Sequence, residues 1–470
     1  MDTLYDKLRK YGESDHYGFH MPGHKRRPGI AGLEKLYQID ITEIEGFDDL
    51  HHAKGILKEA QERAAEVFHA EETHFLINGS TVGILSALAG VTKKGDTVLV
   101  ARNCHKSVYH AVYMKELKPI YLYPSFDQKA GVNTQIAAKD VRAALKRHPE
   151  IRAVVIVSPT YEGVVSDVAD IAREVHEKGI PLIVDEAHGA HFGFHPYFPE
   201  NSNTKGADLV VHSLHKTLPS LTQTALLHIN GPIVDRAEVR RYLDMLQTSS
   251  PSYVLMASID YCIHQLETCG GKLWPPYVER LERLRKELAG LRRLKLVQRP
   301  DQDPSKLVIQ GTGAGMNGRE LYKLLLDKYQ LQMEMAAGGY VLAMTSPGDT
   351  DEGMERLSRA LFDIDEMSGL MYNASKPYSE VQYPRLEQVF TSAEAARRRE
   401  GGHGRSISWE ESEGAVSMEY AYLYPPGIPL IVPGERINAE AVEILKRRRE
   451  QGFFVEGLEQ DGRIEVWTNG

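Results

Sequence analysis

Three short apolar runs rich in β-branched residues constrain the fold more than any other feature of the chain. AVVIV begins at residue 153, PLIVD at 181 and DLVVH at 208, so their starts lie 28 and 27 residues apart. Helix-like patterns lie between them. This spacing is typical of βαβ units of about 30 residues, and continuous apolar strands are typical of a parallel sheet covered on both faces. The pattern therefore predicts an α/β fold with a mostly parallel sheet.

Similar patterns on either side of these runs predict the rest of the organisation. We expect a helix over 54–68, a strand THFLI (73–77) followed by a helix from Thr81, and a strand DTVLV (96–100) followed by a helix near Ser107. After Pro251 we expect long helices over 252–295, then an α+β region with a strand KLVIQ, a helix over 318–329 and a strand pair around LQMEMAAGGYVLAM. Residues 366–410 are predicted to be rich in loops, and the last block to end in short strands. We divide the chain into an N-terminal segment (1–55), a large domain (56–275), a small α+β domain (276–375) and a C-terminal domain (376–470).

Composition excludes several classes of protein. The chain has 470 residues, of which 42% are hydrophobic, which is enough for a large buried core. A formal net charge of -9 argues against a general nucleic-acid binder and a polybasic membrane anchor. We find no signal peptide and no run of about 20 apolar residues, so we expect no membrane segment. Three scattered cysteines do not make a disulfide framework or a thiolate zinc site, and they fit the reducing cytoplasm.

Polar residues follow five of the predicted strands. The carboxyl ends of parallel strands meet at one edge of a sheet, where binding sites form. The sequence therefore predicts one site that gathers these strand-end residues: Asn78, Gly79, Ser80 and Thr81; Asn103 and His105; Thr160; Asp185 and Glu186; and Ser213, His215 and Lys216.

Lys216 and Asp185 are the strongest catalytic candidates at this edge. Lys216 follows a buried-type strand in a segment with little other cationic charge, and a desolvated lysine can form a Schiff base. A solvated surface lysine is the alternative. Asp185 ends the preceding strand. It could cap a helix, or it could be a buried anion that pairs with a cationic ring nitrogen, as pyridoxal phosphate (PLP) requires.

The remaining strand-end groups leave two explanations open. Gly79, Ser80 and Thr81 lie at a strand-to-helix turn, which suits either a phosphate or an ordinary N-cap. His105 could be a core histidine or a flat group stacked on a cofactor. His188 and His191 in DEAHGAH suggest a metal, but their spacing is three rather than four and no other ligand cluster is evident, so we expect no metal. DEAH also occurs in helicases, but no GxxxxGK[ST] motif accompanies it.

Nine segments, taken together, resemble one family. They occur in order along nearly the whole chain: FHMPGHK (19–25), DDLHHAKG (48–55), NGST (78–81), RNCHKSVYHA (102–111), SPTYEG (158–163), VDEAHGAH (184–191), SLHKT (213–217), QTSSPSY (247–253) and YPPGIPLIVPGE (424–435). The chain thereby resembles the PLP-dependent ornithine/lysine/arginine decarboxylases of fold type I. Because PGHK begins at residue 22, it resembles the short bacterial form without an N-terminal wing domain.

The resemblance implies a role for each matching residue. Lys216 corresponds to the lysine that forms the Schiff base with PLP, Asp185 to the partner of the pyridine nitrogen, and His105 to the stacked residue. Ser80, Thr81, Ser213 and His215 correspond to phosphate ligands, and Thr160 also belongs to the cofactor site. Thr248 and Ser249 are similar to residues that reach the phosphate of the neighbouring subunit, which implies a homodimer or a higher homo-oligomer.

The expected reaction is α-decarboxylation of arginine, lysine, ornithine or an aminopropylated analogue. Lys216 or His188 is expected to return a proton to Cα, although some members have a tryptophan at the position of His188. Glu334 is expected to meet the distal cation of the substrate, with Glu435 or DDLHHAKG as the alternatives. An aminotransferase or a β-eliminating lyase would use the same lysine and aspartate, and a non-catalytic regulator that binds PLP or a polyamine is a further alternative.

Overall fold

The computed structural model of the protein describes residues 14–19, 41, 43, 47–371, 382–423, 427–460 and 462–468. Most of the FHMPGHK motif and residues 424–426 of YPPGIPLIVPGE therefore lie outside the described residues. So does most of the predicted N-terminal segment 1–55.

A seven-stranded sheet forms the centre of the first half. Its strands lie side by side in the order Glu72–Leu76, Ala225–Ile229, Leu209–Ser213, Leu182–Asp185, Ile151–Val157, Thr97–Ala101 and Lys118–Leu122. Ala225–Ile229 is antiparallel to both of its neighbours, whereas the other adjacent pairs are parallel. The predicted α/β fold with a mostly parallel sheet is therefore confirmed, although Lys118–Leu122 and Ala225–Ile229 were not predicted.

Helices pack on both faces of this sheet, which explains why its strands are apolar throughout. The helices of this half are Ile56–Val67, Gly79–Val91, Lys106–Met114, Ala138–Arg147, Val168–His176, Leu214–Thr217 and Arg236–Leu246, with 3-10 turns at Leu50–His52 and Ser202–Lys205 and a small hairpin of Phe126–Asp127 and Val132–Asn133. Gly90 allows two of the helices to touch, because a Cβ there would lie 2.8 Å from Cα of Val239. Buried clusters on both faces show that the sheet lies inside the core.

One crossover departs from the predicted pattern. The helix Val168–His176 joins the first two of the equally spaced strands, as expected. Between Leu182–Asp185 and Leu209–Ser213 the chain forms turns and the 3-10 turn Ser202–Lys205 instead of an α-helix. The predicted second helix is therefore wrong. Pro196 and Pro199 disfavour a helix, and Gly193 adopts a φ of 83° that leaves the helical region.

A 36-residue helix, Tyr253–Leu288, connects the central sheet to a second, smaller sheet. It contains Pro275 and Pro276 and runs without interruption through the predicted boundary at 275/276, and the four-part division of the chain stays a prediction. The second sheet has the order Lys295–Leu296, Lys306–Gln310, Tyr340–Met344 and Met335–Ala336. Around it lie the helices Gly318–Tyr329 and Asp351–Met371, the 3-10 turn Thr312–Ala314, and a parallel pair of Tyr17–Phe19 with Leu331–Met333.

The C-terminal part is built from small antiparallel pairs and two helices. Its strands are Glu387–Gln388 paired with Glu435–Arg436, Gly404–Ser408 paired with Arg463–Trp467, and Ala421–Leu423 between Ile428–Ile431 and Val455–Glu456. Its helices are Ser392–Glu400 and Ala439–Glu450, with a 3-10 turn at Trp409–Glu411. The prediction of loops over 366–410 is therefore wrong for 392–400, where Thr391 and Glu394 form a capping box. It is also wrong for 366–371, at the end of the helix Asp351–Met371, and for the strand Gly404–Ser408. None of the described helices is both long enough and apolar enough to cross a membrane.

Candidate active site

The register of the central sheet brings the predicted strand-end residues to one edge. Asp185 lies opposite Val157 on one side and Val211 on the other, and Ser213 lies opposite Ala225, which in turn lies opposite Leu76. The segments that follow these strands therefore leave the sheet at neighbouring positions. The edge gathers the loops of Asn78–Thr81, Thr160, Asp185–His188 and Ser213–Lys216.

Lys216 lies in the short helix Leu214–Thr217, directly after the strand Leu209–Ser213. Its Nζ lies 3.0 Å from Nε2 of His188. Burial lowers the pKa of Lys216, while the nearby carboxylates of Asp185 and Glu334 oppose that shift without reversing it. A lysine with a lowered pKa has a larger share of neutral amine, which is the form that attacks an aldehyde.

Asp185 is a buried carboxylate, with 4% of its surface exposed. Burial raises its pKa, while Lys216, the Ala187 N–H and His212 oppose the shift. The Ala187 N–H donates to Oδ1 over 3.2 Å. A buried anion is stabilised by a cationic partner, and a protonated pyridine nitrogen would be such a partner.

His188 lies between two lysines. Its Nε2 lies 3.0 Å from Lys216 Nζ, and its Nδ1 lies 2.9 Å from Nζ of Lys306. Burial lowers the pKa of His188 far below its ordinary value, and the neighbouring cations lower it further. His188 is therefore a neutral imidazole. Lys306, which is fully buried, was missed by the sequence analysis; a lysine at the start of the apolar run KLVIQ was the available signal.

The surroundings of His191 differ from those of His188. Nε2 of His191 contacts Asp303 and Ser305, at 3.2 and 3.3 Å. The two histidines of DEAHGAH thus contact separate groups rather than sharing a point where a metal could bind.

Two of the predicted phosphate ligands, Ser80 and Thr81, lie in the first turn of the helix Gly79–Val91, and Ser213 and His215 lie at the end of a strand two positions away in the sheet. Gly79 has a φ of 72°, and the first turn of a helix leaves N–H groups without intrahelical partners. Ser80 is partly buried and Thr81 is exposed. Ser213 Oγ is buried and has no hydrogen-bond partner among the described residues, as expected of a hydroxyl whose partner is a ligand. Nδ1 of His215 lies 3.0 Å from the Thr224 carbonyl. These groups fit the phosphate of PLP.

His105 caps the helix Lys106–Met114, and its Nδ1 accepts from the Ser107 N–H over 3.3 Å. Burial lowers its pKa to about 3, assisted by Lys216, Lys106 and His110. The ring is therefore neutral and flat, as a residue stacked on an aromatic cofactor would be. Thr160 is buried, and its Oγ accepts from the Val164 N–H over 3.1 Å.

Thr248 and Ser249 lie in an exposed loop beside this phosphate region. The Thr248 N–H donates to Oδ1 of Asn78 over 3.3 Å, which places the loop next to the turn before Gly79 of the same chain. Their predicted role toward a partner subunit stays a prediction.

Glu334 lies between the strands Leu331–Met333 and Met335–Ala336 and accepts a 2.5 Å hydrogen bond from the Tyr161 hydroxyl. The Tyr161 ring lies 4.4 Å from the His188 ring, centroid to centroid. Glu334 also lines a cavity of about 400 Å³ that extends to Phe453 and Phe454. Its carboxylate thus accepts from Tyr161 and acts electrostatically on Lys216.

Glu435, the alternative residue for reading substrate charge, faces another group. It forms a fully buried ion pair with Arg102, over 3.1 Å, and both side chains are 1% exposed. Arg102 also donates to the carbonyls of Pro429 and Leu430. This pair joins the RNCHKS segment, which contains His105, to the PGE turn of the C-terminal part. The charge of Glu435 therefore belongs to a structural ion pair.

Comparison with known proteins gives matches over most of the chain. Residues 2–303 match the family described as Orn/Lys/Arg decarboxylase, major domain, and residues 375–461 match its C-terminal domain. The chain is 35% identical to an uncharacterized protein of Bacillus subtilis, YaaO, over 97% of this chain and 95% of that one. It is 31% identical to an arginine decarboxylase of Bacillus subtilis, again over 97% and 95% of the two chains.

The fold is similar to that of a solved lysine decarboxylase A from Pseudomonas aeruginosa, with a TM-score of 0.78 and 22% identity. The similarity covers 99% of this chain and 80% of that one. Together with the mixed seven-stranded sheet, this likeness confirms the predicted fold type I architecture.

Proposed function

Because the chain belongs to the Orn/Lys/Arg decarboxylase family and is a decarboxylase of basic amino acids, we propose that it uses PLP bound through Lys216. The observation that supports this most is the arrangement at adjacent strand ends, where an amine of lowered pKa lies near a buried carboxylate. The same edge holds the buried Ser213 hydroxyl without a partner among the described residues. This is the set of groups that PLP needs: an amine, an anion and a phosphate cradle.

Each group contributes a separate function. Bound PLP supplies an electron sink for the pair released when the bond from Cα to the carboxylate breaks. Asp185 would keep the pyridine nitrogen protonated, and the neutral ring of His105 would hold the cofactor plane. The phosphate would be held by the start of a helix and by hydroxyl and imidazole groups, namely those of Ser80, Thr81, Ser213 and His215. Thr160 would line the same site.

Proton return to Cα falls to the residues beside the amine. His188 contacts Lys216 directly, and one of the two would deliver the proton as a positioned general acid, acting from its protonated form. Glu334 would hold the distal cation of the substrate, supported by its hydrogen bond with Tyr161, which packs on His188, and by its electrostatic effect on Lys216.

We propose arginine as the substrate, since several relatives at 31–32% identity are named arginine decarboxylases. Lysine, ornithine and an aminopropylated analogue form the comparison set.

The test measures CO2 and keto-acid release from each amino acid. We expect CO2 from a basic amino acid and no keto acid. Keto acid as the main product would favour an aminotransferase. Loss of a β-substituent would favour a β-eliminating lyase, and the absence of any turnover would favour a regulator that only binds. Borohydride reduction should attach the cofactor to the SLHKT peptide, and Lys216→Ala should abolish this labelling while Lys205→Ala, at a partly buried lysine outside the site, leaves it intact. Labelling at another lysine would contradict the assignment.

We also propose a homodimer, supported by the exposed loop of Thr248 and Ser249 beside the phosphate region. A protein that stays monomeric at micromolar concentration with full activity would contradict this. A cytoplasmic location is supported by three free cysteines, Cys104, Cys262 and Cys269.

A further inference from the structure

We propose that Lys306 is a positioning residue that fixes His188 in one tautomer, with the ring proton on Nε2 and directed at Lys216. The proposal deepens the proposed function, because it assigns the group that makes His188 a hydrogen-bond donor to Lys216, the other candidate for proton return. It arises from a contact between two sheets that are far apart in the sequence.

The position of Lys306 is tightly determined. The residue is 0% exposed and begins the strand Lys306–Gln310 of the second sheet. Gly163, with a φ of 95°, makes room for its stem, since a Cβ there would lie 2.7 Å from Cγ of Lys306. The Lys306 N–H donates to the Asp303 carbonyl over 3.2 Å. Its amine therefore reaches His188 from the buried start of a strand.

Asp303 stabilises a cation at this position. It is fully buried, and its carboxylate contacts His191 and Ser305. Burial raises the pKa of Asp303, but His191 and Lys306 lower it more, so the net shift is downward. The carboxylate is thus an anion next to Lys306, which favours the charged ammonium.

The hydrogen-bond inventory then decides the tautomer of His188. A lysine ammonium donates and cannot accept, so Nδ1 at 2.9 Å from Lys306 must be the acceptor. A neutral imidazole carries its single proton on the other nitrogen, which here is Nε2. Nε2 lies 3.0 Å from Lys216 Nζ, and a neutral Lys216 amine can accept that proton.

The other charged and titratable groups around His188 also lower its pKa. The charged and titratable groups that act on it are Lys216, Lys306, His105 and His215, and the Tyr161 ring packs against it. Asp185 and Glu334 act on Lys216. Removing the charge of Lys306 should therefore allow His188 to be protonated at a higher pH.

The experiment compares three lysine variants in the PLP-loaded enzyme. Lys306→Met removes both the donor and the charge, Lys306→Gln keeps an N–H donor without the charge, and Lys295→Met is the control, since Lys295 is exposed on the edge strand of the same sheet. We expect Lys306→Met to lower kcat by on the order of tenfold to a hundredfold with KM within about twofold. Lys306→Gln should recover part of kcat, and Lys295→Met should match the wild type.

A spectroscopic readout separates positioning from general damage. The visible absorption of the bound cofactor is titrated with pH, because His188 contacts the lysine that holds it. Lys306→Met and Lys306→Gln should each raise the pH of the transition that His188 causes, from its wild-type value toward the range of about pH 5–8, where an unperturbed histidine titrates. The transition should be absent from the double variant Lys306→Met/His188→Phe. The kcat of that double variant should equal that of His188→Phe alone.

Three results would overturn the proposal. One is a Lys306→Met enzyme with wild-type kcat and spectrum, and another is an equal loss of kcat in the His188→Phe background. The third is a loss of folding in both Lys306 variants, judged by the melting temperature, which would assign Lys306 to structure alone. If the wild type releases no CO2, the proposed function fails, while the cofactor titration still decides the role of Lys306.

Discussion

The buried pair of Arg102 and Glu435 supports a quantitative prediction. The Arg102 guanidinium donates to Pro429 O at 2.5 Å and to Leu430 O and Glu435 Oε2 at 3.1 Å each. Arg102→Met removes all of these bonds and leaves the Glu435 carboxylate buried without its cation. Removal of one partner of a buried ion pair costs about 3–5 kcal/mol. We therefore expect Arg102→Met to lower the free energy of unfolding by about 4 kcal/mol at neutral pH.

The pH dependence of this loss has a definite sign. Burial raises the pKa of Glu435, and in the native protein Arg102 and the Val432 N–H oppose that shift. Without Arg102 the folded-state pKa rises further above the unfolded value. The folded state then binds the proton more tightly, so stability is retained below about pH 4.3 and is lost as the pH rises through the higher folded value. The deficit of Arg102→Met should accordingly be larger at about pH 8 than at about pH 5.

The assay is urea unfolding of the cofactor-loaded protein, followed by tryptophan fluorescence at both pH values. The double variant Arg102→Met/Glu435→Met replaces the pair with apolar groups and should recover much of the loss, since such replacements are often nearly neutral. The matched control is Arg436→Met, in the same turn, whose ion pair with Glu387 is exposed and should cost under about 1 kcal/mol. A loss below about 1 kcal/mol for Arg102→Met, or a similar loss for Arg436→Met, would refute the reasoning.

Three further predictions concern the candidate site. Glu334→Gln should raise KM for the basic amino acid and leave the cofactor spectrum unchanged. Because the carboxylate is only partly buried, kcat/KM should fall roughly tenfold. An unchanged kcat/KM for the whole substrate panel would contradict a role of Glu334 in binding the substrate cation. Ser213→Ala should weaken cofactor binding by about 1.5–3 kcal/mol, yet leave the cofactor-free protein equally or more stable, because the hydroxyl is buried without a partner among the described residues; fluorescence titration and thermal unfolding measure the two effects. Asp185→Asn should keep PLP bound but lower kcat by on the order of a hundredfold. A stopped-flow CO2 assay measures kcat, and a clearly smaller loss would contradict this role.

Local patterns in the sequence were sufficient to locate the core of the candidate site. Apolar runs identify strands, and the residues directly after them must leave the sheet at its carboxyl edge. Lys216 and Asp185 were found in this way, because Asp185 ends one such run, Lys216 comes soon after the next, and a parallel register brings them together. The same reasoning failed for 186–208, where equal strand spacing suggested a helix. The distance between two strands along the chain does not determine the conformation of the segment that joins them.

Contacts between distant segments were decided by the tertiary structure alone. Lys306 and His188 are 118 residues apart, and Arg102 and Glu435 are 333 apart. Each pair joins elements that are distant in the sequence, so no local periodicity or motif identifies the partner of either residue. Chain connectivity predicts which residues emerge at the end of a strand, whereas burial of two charged side chains against each other depends on how whole sheets pack. The sequence by itself therefore determined the fold class and the residues at the strand ends. Only the packing of the two sheets and the C-terminal part decided which buried charges set the protonation state of His188 and hold the His105 segment in place.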